Sequence, residues 1–326
     1  MNFDGIEKIA AAILYEGYIL YPYRPTAIKN RQRWNFGTLY PRVYAEAQRP
    51  PEPFRLVAEC LVVAEADASL DLKISFLQLV RQLQTGSEDL RELTDPSLAW
   101  EEAVERISEH RNFLLRDLIA SPRKLALQMD APNLPEGRTS DPTPGLQATL
   151  TIGGEILQDG AYKLHLELEN GSMLSSGDAA KRDEALPQSF VSAHVLLGVN
   201  GGEFISLLDP AEAYRESAAT CRNLGVFPVL AGEEPDRAMM LCSPIILYDY
   251  PKIAPESAGD FFDGTEMDEM LTLRVLTLTD AEKQEMRNGD PRARRILERT
   301  ESLTAESMLK AHGVIRGLRE IRGGAQ

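Results

Sequence analysis

The sequence predicts an α+β fold: an antiparallel β-rich centre over about residues 54–250, with helices at the amino and carboxyl ends. Three observations carry that expectation. Apolar residues recur at helical spacing mainly near the two ends, and period-two alternation dominates the middle. The pairs Asp159-Gly160 and Asn200-Gly201 fall between alternating runs, as hairpin turns do. A chain of 326 residues, 43% hydrophobic and 26% charged, can bury a core without disulfides, as one large domain or two smaller ones.

Taken in order, Asp4 followed by Glu7 reads as a helix cap. Ile6, Ile9, Ala10, Ile13 and Leu14 then recur on one helical face. From Tyr15 to Tyr44 tyrosines, Trp34 and Phe36 are interleaved with basic residues. Pro50, Pro51 and Pro53 forbid a helix and lead into a strand, with Phe54, Leu56, Ala58, Cys60 and Val62 on one face. Leu70, Leu72, Ile74 and Phe76 alternate with polar residues and predict a second strand paired to the first.

Residues Leu98–Ile107 carry apolar positions at helical spacing and predict a helix, followed by short apolar runs at 113–118 and 125–129. Ala131–Gly145 holds four prolines and two glycines and reads as a linker or long loop. The expected organisation is therefore 1–130, a connection at 131–145, and 146–326, with a single large domain as the alternative.

Beyond that connection, Leu150 and Ile152 belong to one strand and Tyr162–Leu168 to the next. Val191–Val199 and Glu203–Leu208 read as a hairpin, and 225–230 and 239–248 as further strands. Leu271–Leu278 alternates once more. Thr279-Asp280-Ala281-Glu282 then opens a helix as a capping box, and Met308, Ala311, Ile315 and Leu318 mark a last helical seam.

Three scattered cysteines, Cys60, Cys221 and Cys242, form no disulfide framework or zinc ribbon and fit a reducing cytoplasm. The amino terminus lacks a basic leader, and no apolar run is long enough to span a bilayer. A formal charge of −15 works against a generic grip on nucleic acid or anionic membrane. No phosphate-binding glycine loop, HExxH or GxSxG is present. Cys60 reads as a core thiol, Cys221 has only its neighbour Arg222 to favour a thiolate, and His194 reads as a satisfied, partly buried histidine.

Two segments depart from the background charge. Leu20–Arg49 carries Arg24, Lys29, Arg31, Arg33, Arg42 and Arg49 against Glu46 alone, a local charge of +5. Within it, Tyr21-Pro22-Tyr23-Arg24-Pro25 is stiffened by two prolines, which suits display of rings beside guanidinium groups. The competing reading anchors the rings to the sheet and pairs the cations internally. Tyr250–Met270 reverses the sign, with Glu256, Asp260, Asp263, Glu266, Asp268 and Glu269 against Lys252. These acids do not match a calcium loop. No cofactor is predicted; a divalent cation at Asp260, Asp263, Glu266 and Asp268 is the alternative.

Residues 17–41 (GYILYPYRPTAIKNRQRWNFGTLYP) and 246–300, from ILYDYPKIAPESAGDFFDG to ARRILERT, together resemble an uncharacterised bacterial family associated with gene clusters for actinobacterial-type, oxygen-tolerant nickel-iron hydrogenases. These stretches are about a quarter of the chain. The resemblance implies an accessory role in assembling or maturing a hydrogenase, and carries no catalytic residues with it.

The expected function is a non-enzymatic cytoplasmic interaction protein, with a hydrogenase subunit or maturation factor as its partner. Tyr21, Tyr23 and Trp34 are expected as apolar anchors, and Arg24, Lys29, Arg31 and Arg33 as charge-assisted contacts. The alternative is a metal-assisted hydrolase built on the acidic cluster, with His194 as base.

Overall fold

A computed structural model describes residues 2–16, 20–23, 27, 30, 36–81, 101–132, 143–157, 161–174, 181–253, 268–288 and 291–303. The chain divides into two compact units, residues 1–17 with 34–252, and residues 18–33 with 253–326.

The first unit is built on a curled, eight-stranded antiparallel sheet, a half-barrel, so the α+β class holds. Helix α1 (Asp4–Leu14) opens it and buries Ile6, Ala10 and Leu14, the face that the spacing predicts. Its capping acceptor is Asn2 rather than Asp4, because the Asp4 N–H donates to Asn2 Oδ1 at 2.9 Å. Helix α2 (Arg42–Ala47) ends before the prolines.

The long strand β1 (Arg55–Arg81) organises the rest. Along one edge it pairs first with β5 (Tyr162–Asn170) and then with β2 (Glu101–Leu114); along the other it pairs with β6 (Val191–Ile205). Register breaks between Ala64 and Ser69 and between Leu70 and Leu72 bend β1, which is how one strand serves two successive neighbours. Helix α3 (Leu115–Ala120) leaves β2 where β1 changes neighbours and buries Leu115 and Leu118. Strand β3 (Arg123–Met129) follows and, among the described residues, pairs only with β4 (Leu146–Ile156) and ends the sheet; β4 pairs in turn with β5. The segment 131–145 therefore joins neighbouring strands of one sheet. Short helices α4 (Arg182–Ala185) and α5 (Arg215–Thr220) lie in later connections. At the opposite end the order is β6, β8 (Met239–Ser243), then β7 (Phe227–Ala231).

The inner face of the curl is filled by the chain's own side chains. Leu56, Ala58, Cys60, Val62, Leu70, Leu72, Ile74 and Phe76 of β1 meet inward residues of β4, β5, β6 and β8 and the buried face of α3. Phe76 and Phe190 pack with ring centroids 4.3 Å apart. Each fully buried side chain of this size contributes about 1.5–3 kcal/mol. The other face is closed by α1, whose Ile6 and Ala10, with Phe3 just before the helix, cover Leu196, Val229 and Leu241. Glu7 of α1 also meets the buried Lys73 of β1 at 2.7 Å, and Glu109 of β2 meets it at 3.2 Å.

Three sequence expectations for this unit are corrected. The strands read at 54–62 and 70–76 do not pair with each other: they are successive parts of the single strand β1, whose irregular stretch between Ala64 and Ser69 bends the strand without reversing it. The predicted helix over 98–107 is, from Glu101, the strand β2. Its inward positions are filled by Val104, Arg106, Ser108 and His110, so no apolar alternation marks it. Asn200-Gly201 turns no hairpin: β6 runs straight through it. Gly201, at φ +78°, stands opposite the bulged stretch of β1 between Ala64 and Ser69.

In the second unit, α6 (Asp268–Leu276), α7 (Asp280–Asn288) and α8 (Pro291–Glu301) follow one another. The predicted strand at Leu271–Leu278 is thus mostly helix, with Leu271, Val275 and Leu278 buried at spacings of four and three. The capping box is present: the Thr279 N–H donates to Glu282 Oε2 at 2.9 Å and the Glu282 N–H to Thr279 Oγ1 at 3.3 Å. Arg287 grips both carboxylate oxygens of Glu301, at 2.7 and 2.9 Å, and ties α7 to α8. The seam at Met308–Leu318 lies outside the described residues.

Candidate functional site

The aromatic and basic segment begins with a loop that closes on itself. The buried Asn30 side chain accepts the Leu20 N–H at 2.8 Å through Oδ1 and donates to the Leu20 carbonyl at 2.9 Å through Nδ2. One amide thereby satisfies both backbone groups of a residue ten positions away, and the loop's two ends meet. The Tyr23 N–H donates to the Leu20 carbonyl at 2.8 Å and tightens the first turn.

The rings of this loop divide. Tyr23 is fully enclosed, so the expectation of an exposed ring there is corrected: at φ 57° its backbone turns the side chain inward. Tyr21 is half-buried and meets Tyr23 edge-on, with centroids 6.2 Å apart. The guanidinium of Arg274, from α6, stands 5.6 Å from the Tyr21 ring centroid, within cation–π range. The loop is thus seated on α6, which belongs to the second stretch singled out by the resemblance. Arg24, Lys29, Arg31, Arg33 and Trp34 lie outside the described residues.

The acidic cluster is likewise beyond description at Asp260, Asp263 and Glu266, and for Asp268 only the backbone, at the start of α6, is described. Among the described residues no three histidine, cysteine or acidic side chains come together as a metal site requires.

His194 is fully buried. Its Nδ1 lies 2.6 Å from the Ser192 carbonyl, and its Nε2 lies 3.4 Å from Ser243 Oγ. Burial pushes its pKa down to about 4 against the opposing pull of the Ser192 carbonyl, so at neutral pH it is an uncharged member of the core. Enclosed in this way it cannot meet a substrate, which removes it as a base. The hydroxyl of Ser192, itself at φ 53°, is buried without a hydrogen-bond partner among the described residues.

The thiols give the same picture. Burial pushes Cys221 up to about 11 in spite of Lys163, and Cys242 up to about 12; burial also raises Cys60 well above its ordinary value. These are packing thiols, and Arg222 does not activate Cys221.

One polar constellation escapes sequence reasoning. Glu59 of β1 lies opposite His165 of β5 in register. Its carboxylate sits 3.1 Å from His165 Nδ1 and 3.0 Å from Lys163 Nζ, and accepts the Arg222 N–H at 2.7 Å. The Glu59 N–H donates to Asn223 Oδ1 at 2.8 Å, and Lys163 Nζ donates to the Thr220 carbonyl at 3.2 Å. Burial would raise the Glu59 carboxyl, but the Arg222 N–H, His165 and Lys163 outweigh it and hold it below its usual value. The arrangement pins the chain at 220–223 to the sheet. Only the pairing register brings Glu59 and His165 together, since 106 positions separate them.

A further cleft of about 430 Å³, including its open mouth, lies where α3 leads into β3. Phe113, Leu114 and Leu118 form its apolar lining, and Arg111, Asn112, Asp117 and Arg123 its polar lining. Pro122 seats β3 here by packing against Gly153, where a Cβ would lie 2.9 Å from the Pro122 ring.

No protein-family model and no curated protein matches the chain. Among the described residues no helix is long and apolar enough to cross a membrane.

Proposed function

We propose that this is a non-enzymatic, cytoplasmic accessory protein that binds a protein partner through the loop of residues 18–33, and that the partner is a subunit or maturation factor of a nickel-iron hydrogenase. The hydrogenase assignment rests on the resemblance of residues 17–41 and 246–300 alone. The binding surface rests on one observation: the loop is closed at its base by Asn30 and seated on α6 through Tyr21 and Arg274. A loop whose base is already joined loses less conformational freedom on binding. It carries Arg24, Lys29, Arg31 and Arg33 and no acid, in a chain of formal charge −15. Guanidinium groups held on such a loop suit a carboxylate-bearing protein surface. The filled inner face of the sheet and the buried, neutral His194 fit a scaffold better than a catalytic chamber.

Affinity purification from the source cells tests this reading. The unaltered chain is expected to bring down a hydrogenase subunit or maturation factor. The double variant Arg31→Ala, Trp34→Ala is expected to lose it while keeping its circular dichroism and melting profile. A folded double variant with unchanged partners would overturn the proposal.

A further inference from the structure

Among the described residues strand β3 ends the sheet at one side. Beyond the ladder to β4, none of its residues, Arg123–Met129, makes a backbone hydrogen bond among the described residues. In an antiparallel pair alternate residues direct their N–H and C=O groups away from the partner, so the outer side of β3 is a row of donors and acceptors about 23 Å long that no described residue takes up. Arg123, Lys124, Ala126 and Gln128 are exposed along it, while Leu127 fixes the strand to the core.

The cleft between α3 and β3 lies at the head of this edge. Arg111 is 3.0 Å from Glu109, and Arg123 approaches Asp117 only to 3.9 Å, beyond hydrogen-bonding distance. Arg116 stands 3.8 Å from the same Asp117, so one carboxylate faces two guanidinium groups without a hydrogen bond to either. Below them Phe113, Leu114 and Leu118 line the cleft.

Direction joins the two features. Every strand pairing described in the sheet is antiparallel. A segment added antiparallel to β3 finishes, at its own carboxyl end, beside Arg123. Its terminal carboxylate then meets Arg123 and Arg111, and its last side chain meets the apolar lining. We infer that β3 and the cleft at its head form a docking site for the free carboxyl-terminal tail of a partner protein, bound as an extended strand and ending in an apolar residue. The pairing ladder supplies affinity, while the two arginines and the apolar floor select a chain end. This site is separate from the loop of residues 18–33 and does not depend on what that loop binds.

Fluorescence polarisation on the full chain tests it. The probe is a fluorescein-labelled hexapeptide of alternating threonine and valine that ends in valine with a free carboxylate. It is expected to bind, and the same peptide with a terminal amide is expected to bind about tenfold more weakly or worse. The double variant Arg111→Gln, Arg123→Gln is expected to weaken the acid by about the same factor without changing the melting profile, since both side chains are more than half exposed. A probe methylated on alternate backbone amides, in either phase, is expected to lose affinity in the phase that faces β3. Equal binding of acid and amide, an unaffected double variant, or no binding at about 1 mM probe would overturn the inference. So would concentration-dependent dimerisation of the chain that the double variant abolishes, because that would give the edge to a second copy. Probe binding by the Arg31→Ala, Trp34→Ala variant separates the two sites: it is expected to be unchanged, whatever that variant does to co-purification.

Discussion

At the β7 end of the sheet the chain covers its own edge, while at the β3 end none of the described residues covers it. The Leu230 N–H of β7 donates to Asp249 Oδ1 at 2.8 Å, and the Leu230 carbonyl accepts the Tyr250 N–H at 2.8 Å. The other oxygen of Asp249 accepts from Ser206 Oγ at 2.5 Å, and that hydroxyl accepts the N–H groups of Leu208 and Asp209. One carboxylate thus fastens a strap across the strand. Among the described residues strand β3 has no strap, and it carries exposed cations and an apolar-lined cleft instead. An uncovered edge invites non-specific pairing, so a protein that caps one end and leaves the other open has a physical asymmetry that function can use.

Acid should act unevenly on this asymmetry, and that is the largest effect expected. His194 pairs in β6 with Ser75 of β1, and its ring reaches Ser243 of β8, on the strapped side. Its folded pKa, about 4, lies below the ordinary 6.5, so between those values the unfolded chain binds a proton that the folded chain refuses. Stability therefore falls as pH drops below 6.5 and stops falling from this source below about 4, for a total of about 3 kcal/mol. Urea denaturation across pH 4–7 measures it, and His194→Gln should flatten that part of the profile. Hydrogen exchange near pH 5 should loosen β7 and β8 before β3. Simultaneous loosening would show that the two ends are not energetically distinct.

How much of this was legible beforehand depended on where the side chains of each element had to point. The strands β1, β4 and β5 and helix α1 show their period because apolar residues occupy most inward positions, with Gln78 and Asn170 as buried polar exceptions near strand ends. Strand β2 hides it because Arg106, Ser108 and His110 point inward, and α6 disguises itself because leucine and threonine happen to alternate along a helix. Of the candidate site, the basic and aromatic composition of the loop could be read directly. The enclosure of Tyr23 and the clasp of Asn30 on Leu20 could not, because neither residue type announces which way it faces. The edge site was invisible for a different reason: Arg111 and Arg123 become neighbours of one cleft only when α3 folds β2 back toward β3.

Removing the strap's anchor comes next in size. Asp249→Ala leaves the Leu230 N–H and Ser206 Oγ without their acceptor, and loss of hydrogen bonds to a charged group costs about 2 kcal/mol. The midpoint in urea should fall accordingly. Because β7 then presents an unpaired edge, sedimentation should also show self-association that the unaltered chain lacks. A variant that loses stability and stays monomeric would mean that β7 is protected by something other than Asp249.

The smallest effect belongs to the open end. Arg123 is 55% exposed and Asp117 lies 3.9 Å from it, which places the pair among surface ion contacts that contribute little. Arg123→Gln should change unfolding free energy by less than about 0.5 kcal/mol, within the scatter of a urea titration, and leave the exchange rates of β3 amides unaltered. That near-silence is informative when set beside Asp249→Ala. A residue that fastens an edge registers in stability, whereas one held ready for a partner registers only when the partner is added. A loss above about 1 kcal/mol for Arg123→Gln would place this arginine with the strap, as part of what holds the sheet together, and the contrast between the two ends would disappear.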